Sequence, residues 1–156
     1  MMNRRTIDPA RVVAVARAWL GTPYVHQASC KGAGCDCLGL IRGVWRALYG
    51  EEPERPPPYT PDWAERQGQE TLLAAAQRHL RTLWLAGQGD ERPPIEAGQV
   101  LVFRYRAHLP AKHAGIATSP HTMIHAQEGA GVVEVPITGW WHRHLAGVFA
   151  FPYREL

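Results

Sequence analysis

The hydrophobic pattern of this 156-residue chain changes character part-way along its length. Before residue 50, apolar residues recur three and four positions apart in two segments, the first opened by Asp8-Pro9 and the second ended by Gly50. After residue 99, short apolar or alternating runs are separated by turn residues; they span 100–105, 114–117, 123–126, 132–135 and 148–151. Helices followed by antiparallel strands are typical of an α+β fold.

The length of the chain predicts one domain, spanning 1–156. Residues 53–61 hold five prolines, which exclude both a helix and a central strand, and a shorter helix is predicted over 70–80. Within a single domain, the proline-rich segment is expected to be an extended loop rather than a linker.

Composition excludes several classes of protein. Hydrophobic residues make up 46% and charged residues 20%, which argues against disorder. The mostly apolar stretch from Val12 to Leu20 is interrupted by Arg17 and is far shorter than the ~20 residues of a membrane span. The formal charge is +3 with scattered arginines, so nucleic-acid binding is not expected. The N-terminus has no signal-peptide pattern, which predicts synthesis in the cytoplasm without secretion by its own signal.

The three cysteines fall within eight residues, at Cys30, Cys35 and Cys37. An odd number in one short segment is a poor disulfide framework and indicates a reactive thiol or a metal site. Cys37 is expected at the first turn of a helix capped by Asp36, where the helix dipole favours the thiolate. The charge of Asp36 opposes thiolate formation, so a basic partner is needed. Gly39 is expected to leave room beside the sulfur, and nearby loop amides are placed to stabilise an oxyanion.

Two histidines provide that basic partner. If residues 118–120 form a three-residue hairpin loop, His113 lies directly opposite His125, and their side chains share one face of the sheet. Such a pair suits a Cys-His nucleophile in which one ring accepts the thiol proton and the other orients it. Six other histidines have weaker cases as catalytic residues: His26, His79, His108, His121, His142 and His144.

Tyr24 follows Pro23, which restrains the chain before it. A phenol held in this loop is placed to hydrogen-bond a carbonyl oxygen near the thiol. The alternatives stay open for each candidate at this point: Tyr24 as an ordinary core tyrosine, Cys37 as a small buried residue, and either histidine as structural.

Five motifs, taken in order, resemble the NlpC family of cell-wall cysteine peptidases, which have a papain-like fold. They are Gly-Thr-Pro-Tyr at 21–24, Asp-Cys-Leu-Gly-Leu at 36–40, Gly-Gln-Val-Leu-Val-Phe at 98–103, His-Ala-Gly-Ile at 113–116 and Met-Ile-His-Ala at 123–126. The resemblance implies N-terminal helices, with the nucleophile at a helix N-terminus, packed on an antiparallel sheet that carries both histidines. It assigns Cys37 as nucleophile, His113 as general base, His125 as third member and Tyr24 to the oxyanion site, with no cofactor or metal. Many relatives carry serine where this chain has Leu38, so one side-chain donor is missing.

Further segments are similar to the phage-tail and gene-transfer-agent branch of that family. They are the run from His-Gln-Ala-Ser at 26–29 to Cys-Asp-Cys-Leu-Gly-Leu at 35–40, Pro-Pro-Pro-Tyr at 56–59 and Asp-Trp-Ala-Glu at 62–65. The resemblance implies hydrolysis of an amide bond in peptidoglycan stem peptides, next to D-glutamate or diaminopimelate. It also implies tail-tip (hub or baseplate) proteins as partners and incorporation into a phage-like tail particle that acts at the cell wall. The distance between Cys37 and His113 is long for the family, which makes 53–94 an insertion.

Three other functions compete with this hypothesis. Cys30, Cys35, Cys37 and His26 could ligate zinc or an iron–sulfur cluster, although their spacing matches no standard site. The fold could serve as a non-catalytic tail subunit. The same triad could also transfer its acyl group to an amine or alcohol instead of water.

Overall fold

The computed structural model describes residues 6–56 and 70–154. Its elements in chain order are α1 (Pro9–Arg17), β1 (Ser29–Cys30), β2 (Gly34–Cys35), α2 (Cys37–Tyr49), α3 (Thr71–His79), β3 (Arg81–Leu85), β4 (Val100–Phe103), β5 (His113–Ser119), β6 (Thr122–Gln127), β7 (Gly131–Pro136), α4 (Gly139–Arg143) and β8 (Leu145–Ala150). The α+β prediction is confirmed. Among these described residues, no helix has the length and apolar character needed to cross a membrane.

The two N-terminal helices begin where their capping residues place them. The Asp8 side chain accepts a hydrogen bond from the Ala10 N–H at 3.0 Å, and Pro9 occupies the first turn of α1. This helix ends at Arg17, earlier than the stop expected at Gly21. Helix α2 ends at Tyr49 and is capped by Gly50, whose φ of 93° is a conformation that glycine adopts readily.

A glycine lets α1 and α2 approach each other closely. A Cβ built at Gly43 of α2 would lie 2.0 Å from the ring of Trp19, which follows α1 and is only 4% exposed. The indole therefore occupies the space that any other residue at position 43 would fill. This contact fixes how α2, and with it the start of the helix at Cys37, sits in the domain.

Six strands form one antiparallel sheet in the order β3-β8-β4-β5-β6-β7. Both of its faces are apolar. One face packs with the helices in a cluster that includes Val100, Val102, Ile116, Ile124 and Phe149. The other face carries a second cluster that includes Leu101, Phe103, Met123, Leu145 and Val148. Period-2 alternation along the strands separates the two sets.

The segment 53–94 contributes to this sheet as well as to the helices. Its strand β3 pairs with β8 and forms one edge, and helix α3 begins at Thr71, close to the predicted start. The sequence analysis did not predict this strand, and its burial in the structure alternates only weakly along the five residues. The motif at 62–65 and residues 57–59 of the proline-rich motif lie outside the described residues.

The predicted register of the β5–β6 hairpin is wrong by two residues. Ile116 pairs with Ile124, and the register shifts between Ala117 and Ser119, so that Ser119 pairs with Thr122 across a two-residue turn. His113 and His125 are therefore diagonal neighbours rather than directly opposite residues. Because the error is an even number, both side chains still project from the same face.

Candidate active site

Cys37 lies at the first turn of α2, as the sequence predicts, and its sulfur reaches the start of β5. The thiol donates to the Lys112 carbonyl oxygen over 3.7 Å, and the N–H of Ala114 donates back to the sulfur. These two groups belong to the residues on either side of His113. The half-buried thiol is thus placed against the backbone that carries the candidate base.

The surroundings of Cys37 favour a neutral thiol. Burial, and secondly the negative charge of Asp36, raise the pKa of Cys37 to about 12. The backbone N–H groups of Ala114, Leu38 and Cys37 itself act in the opposite direction, because they stabilise the thiolate. The opposition between Asp36 and the thiolate that the sequence predicts is therefore present, and burial adds to it.

Asp36 joins the loop before α2 to the helix itself. Its carboxylate accepts the Gly39 N–H at 2.7 Å and the Gln27 N–H at 2.8 Å, and the residue is 3% exposed. The structure gives a reason for Gly39 that the sequence did not show. A Cβ at this position would lie 1.9 Å from the Ala28 carbonyl oxygen, so only a glycine admits the loop backbone here.

His113 and His125 form a buried, hydrogen-bonded pair. His113 Nε2 and His125 Nδ1 are 2.8 Å apart, and the ring centroids are 5.1 Å apart with an interplanar angle of 85°. With these separations, both nitrogens lie near the line between the ring centres, so the second nitrogen of each ring points away from its partner. The nitrogen of His113 that is left for the thiol proton is Nδ1.

Both histidines are held neutral by their environment. Burial, and secondly the neighbouring His125 ring, lower the pKa of His113 to about 3, and burial lowers the pKa of His125 to about 4. Because the pKa of Cys37 is raised while that of His113 is lowered, the resting site holds a thiol and an imidazole rather than an ion pair.

Tyr24 lies beside the candidate nucleophile. It forms an isolated bridge to Cys35, two residues before Cys37. Burial, and secondly the charge that a Cys37 thiolate would carry, raise the pKa of Tyr24 to about 12. The hydroxyl is therefore protonated near neutral pH and available as a hydrogen-bond donor.

Two aromatic residues that the sequence did not single out contact the histidine pair. Tyr105 stacks on His113 with centroids 5.8 Å apart, and burial together with a Cys37 thiolate raises the pKa of Tyr105. Trp141 of α4 stacks on His113 at 5.6 Å and meets His125 nearly perpendicularly at 5.3 Å. The sequence signal for these contacts was limited to chain position: Tyr105 follows β4, and Trp141 precedes β8, the strand that pairs with β4.

Comparisons with known proteins identify the fold. The chain is similar to the NlpC/p60 domain of the peptidoglycan hydrolase SagA, with a TM-score of 0.62, 21% identity, and coverage of 93% of this chain and 100% of that one. It is also similar to an NlpC/p60 family protein from Bacillus cereus, with a TM-score of 0.64, 17% identity, and coverage of 97% of this chain and 42% of that one. The chain has the NlpC/p60 fold. The expectation of a papain-like α+β architecture is thereby confirmed.

The chain is also similar in sequence to a curated protein. The gamma-DL-glutamyl hydrolase of Bacillus subtilis (strain 168) is 26% identical in an alignment of 154 residues that covers 96% of this chain and 32% of that protein. The chain therefore spans about a third of the length of this relative. No protein-family model matches the chain.

The other two cysteines differ from Cys37 in their exposure to solvent. Cys35 is fully buried in the core, where burial raises its pKa to about 11, and Cys30 is exposed. His26 lies 3.9 Å from a carboxylate oxygen of Asp36. In the described ranges 6–56 and 70–154, no group of three or more cysteine, histidine or acidic side chains is arranged to hold a metal ion.

The first residue of the α3 region braces the loop that carries Tyr105. Glu70 accepts the Ala111 N–H at 3.0 Å and also pairs with Arg104, which donates to the Leu109 carbonyl at 2.7 Å. The segment that sequence analysis treats as an insertion thus holds residues 104–111, directly before His113. No sequence signal indicated this contact, because the partners are more than thirty positions apart.

Proposed function

We propose that this chain is a cysteine peptidase that hydrolyses an amide bond in peptidoglycan stem peptides through a thioester intermediate. The observation that carries the proposal is the position of the Cys37 sulfur, at a helix N-terminus and against the backbone on both sides of His113, whose ring is bonded to His125. The fold and the similarity to named hydrolases support the same assignment.

Acylation begins from the neutral pair. His113 Nδ1 accepts the thiol proton as the sulfur attacks the carbonyl carbon, because neither charged group is stable before substrate arrives. The oxyanion forms near the backbone N–H groups at the start of α2 and the Tyr24 hydroxyl. His113 then gives its proton to the departing amine, which leaves a thioester on Cys37.

In deacylation, His113 again accepts a proton and then donates it, now from water and to the sulfur. A water molecule loses a proton to His113 Nδ1 as its oxygen attacks the thioester carbon, and the proton then returns to the sulfur as the carboxylic acid departs. His125 Nδ1 accepts from His113 Nε2 throughout, so the ring keeps one orientation in both half-reactions. Acid–base assistance of this kind contributes roughly a hundred- to ten-thousand-fold to the rate.

The proposed scissile bond is an amide next to D-glutamate or diaminopimelate. The curated relative is a gamma-DL-glutamyl hydrolase, and one structural relative is a peptidoglycan hydrolase, which supports a glutamate-containing cell-wall peptide as substrate. The net charge of +3 suits a stem peptide rich in carboxylates.

For its location, we propose that the enzyme is made in the cytoplasm and incorporated at the tip of a phage-like tail, in contact with hub or baseplate proteins. The motif similarity of residues 26–29 to the tail branch supports this placement. Mass spectrometry of purified phage-like particles tests it: the chain is expected among the tail proteins, and its recovery only in the soluble fraction would refute the placement.

The hydrolytic activity is tested by incubating purified sacculi with the protein and identifying the released muropeptides by mass spectrometry. We expect new peptide termini with the wild type, none with Cys37→Ala, and at least about a hundredfold slower release with His113→Gln. Cys30→Ala is the matched control, because Cys30 is exposed and should leave activity unchanged. Equal hydrolysis by Cys37→Ala would refute the assignment, and products joined to an added amine would indicate acyl transfer.

A further inference from the structure

Trp141 contacts both rings of the histidine pair. The centroid of its ring lies 5.6 Å from that of His113 at an interplanar angle of 26°, and 5.3 Å from that of His125 at 83°. The histidine centroids are themselves 5.1 Å apart. The three rings therefore form a nearly equilateral triangle in which His125 stands perpendicular to the other two.

Hydrogen bonding alone leaves this pair under-determined. A single hydrogen bond joins the rings, and His125 Nε2 is buried without a hydrogen-bond partner among the described residues. No second polar contact of the His125 ring therefore prevents it from rotating, and the packing around it must set its plane. A small change of that plane would move Nδ1 off the line to His113 Nε2.

The indole is itself firmly held. Phe103, fully buried in the second core cluster, meets Trp141 edge-on with centroids 4.7 Å apart, and Trp140 meets it perpendicularly at 4.8 Å. The packing of Trp141 against the core therefore restrains the two histidine rings, which a single hydrogen bond connects.

We propose that Trp141 is a positioning residue, which stacks on His113 and meets His125 at right angles so that the His113 Nε2–His125 Nδ1 hydrogen bond keeps its alignment and Nδ1 is left for the thiol proton. This inference rests on the proposed peptidase function for its kinetic consequence. Its structural consequence does not depend on any substrate: Trp141 sets the orientation of the two histidine rings and excludes water from them.

Removing the indole also admits water to the pair. The titratable or charged groups around His113 are His125 on β6, Cys37 on α2, and Tyr105 and Lys112 in the segment leading to β5. Since burial is the main cause of the lowered pKa of His113, a hydrated pair should titrate closer to the ordinary histidine value.

The test compares wild type, Trp141→Phe and Trp141→Leu in two assays. In muropeptide hydrolysis, Trp141→Leu is expected to lose about ten- to a hundredfold in kcat with little change in KM, because misaligned groups slow the chemical step. Trp141→Phe keeps a stacking ring and should stay within about threefold of wild type in kcat. Histidine ring NMR titration should show the pKa of His113 moving upward in Trp141→Leu and staying low in Trp141→Phe.

Trp84→Leu is the matched control. Trp84 packs against the same second cluster from β3, and its indole N–H donates to the Asp90 carbonyl at 3.2 Å. A merely structural tryptophan would behave like Trp84, losing stability without changing kcat or the histidine titration of the folded protein.

Two results would overturn the proposal. The first is a folded Trp141→Leu protein with wild-type kcat and unmoved histidine titration. The second, which decides the matter if Trp141→Leu does not fold, is a folded Trp141→Phe protein whose histidine pKa values rise and whose kcat falls. If wild type hydrolyses nothing, the peptidase proposal fails, while the NMR titration still tests the positioning role.

Discussion

Replacing Asp36 by asparagine should change stability and thiol reactivity in opposite directions. The carboxylate accepts two backbone N–H groups, from Gly39 and Gln27, and its side chain is 4% exposed. Asparagine keeps one accepting oxygen and turns an amide NH₂ toward one of these donors. Losing a buried hydrogen bond to a charged acceptor costs about 1.5–3 kcal/mol, so the free energy of unfolding should fall by about 2 kcal/mol.

The same substitution removes a negative charge that opposes the Cys37 thiolate. The pKa of Cys37 should therefore move down, although it should stay above that of a free thiol because burial, the larger cause, is unchanged. At neutral pH a lower pKa means a larger thiolate fraction. Asp36→Asn should consequently be less stable than wild type, yet alkylated faster by iodoacetamide at the same pH.

Urea unfolding and the pH dependence of alkylation measure the two effects. Both proteins carry Cys30→Ser so that the exposed thiol does not react, and mass spectrometry confirms modification at Cys37. Asp36→Ala is the control for the cap: it should show the same direction of pKa change and a larger loss of stability, since both acceptor atoms are gone. An alkylation profile of Asp36→Asn that is unmoved, or moved to higher pH, would refute the assigned electrostatics.

Two further predictions concern the folded state. The pKa values of His113 and His125 are lowered to about 3 and about 4, so below about pH 6.5 the unfolded chain takes up protons that the folded chain does not. The free energy of unfolding should therefore decrease as the pH is lowered from 6.5, by up to about 1.4 kcal/mol per pH unit for each ring. Measured by urea unfolding between about pH 6.5 and pH 5, this decrease should be smaller for His125→Gln than for wild type, and an equal decrease in the two proteins would contradict the buried neutral pair. Gly43→Ala places a Cβ 2.0 Å from the Trp19 ring, so it should destabilise the protein by about 1–3 kcal/mol in the same assay, and an unchanged midpoint would show that the helices can separate at no cost.

Local chemistry made the start of the site predictable. The cap at Asp36, the apolar spacing after Cys37 and the stop at Gly50 are each encoded within a few residues, and α2 begins and ends where they indicate. The two histidines do share one face, as the sequence analysis expects, because the error in the expected register is an even number of residues.

The hairpin register itself depends on an irregularity that no local pattern encodes. The two-residue turn at 120–121 and the one-residue shift between Ala117 and Ser119 together place the pairing two residues away from that of a three-residue loop. In the same way, β3 gains its place at the sheet edge from pairing with β8, since its own alternation is weak. Both features are set by non-local backbone hydrogen bonds, which composition and periodicity do not report.

The aromatic surroundings of the pair mark the limit of sequence reasoning at this site. Nothing near Trp141 in the sequence indicates that its ring will lie on His113, some thirty positions away, and its apolar character alone predicts only burial. Yet a histidine pair linked by one hydrogen bond requires such a ring, because one bond fixes a distance and leaves a plane free. The Cys-His-His motif in the sequence therefore indicates which groups are candidates to exchange protons, whereas the neighbour that we propose to align them is revealed only by the tertiary structure.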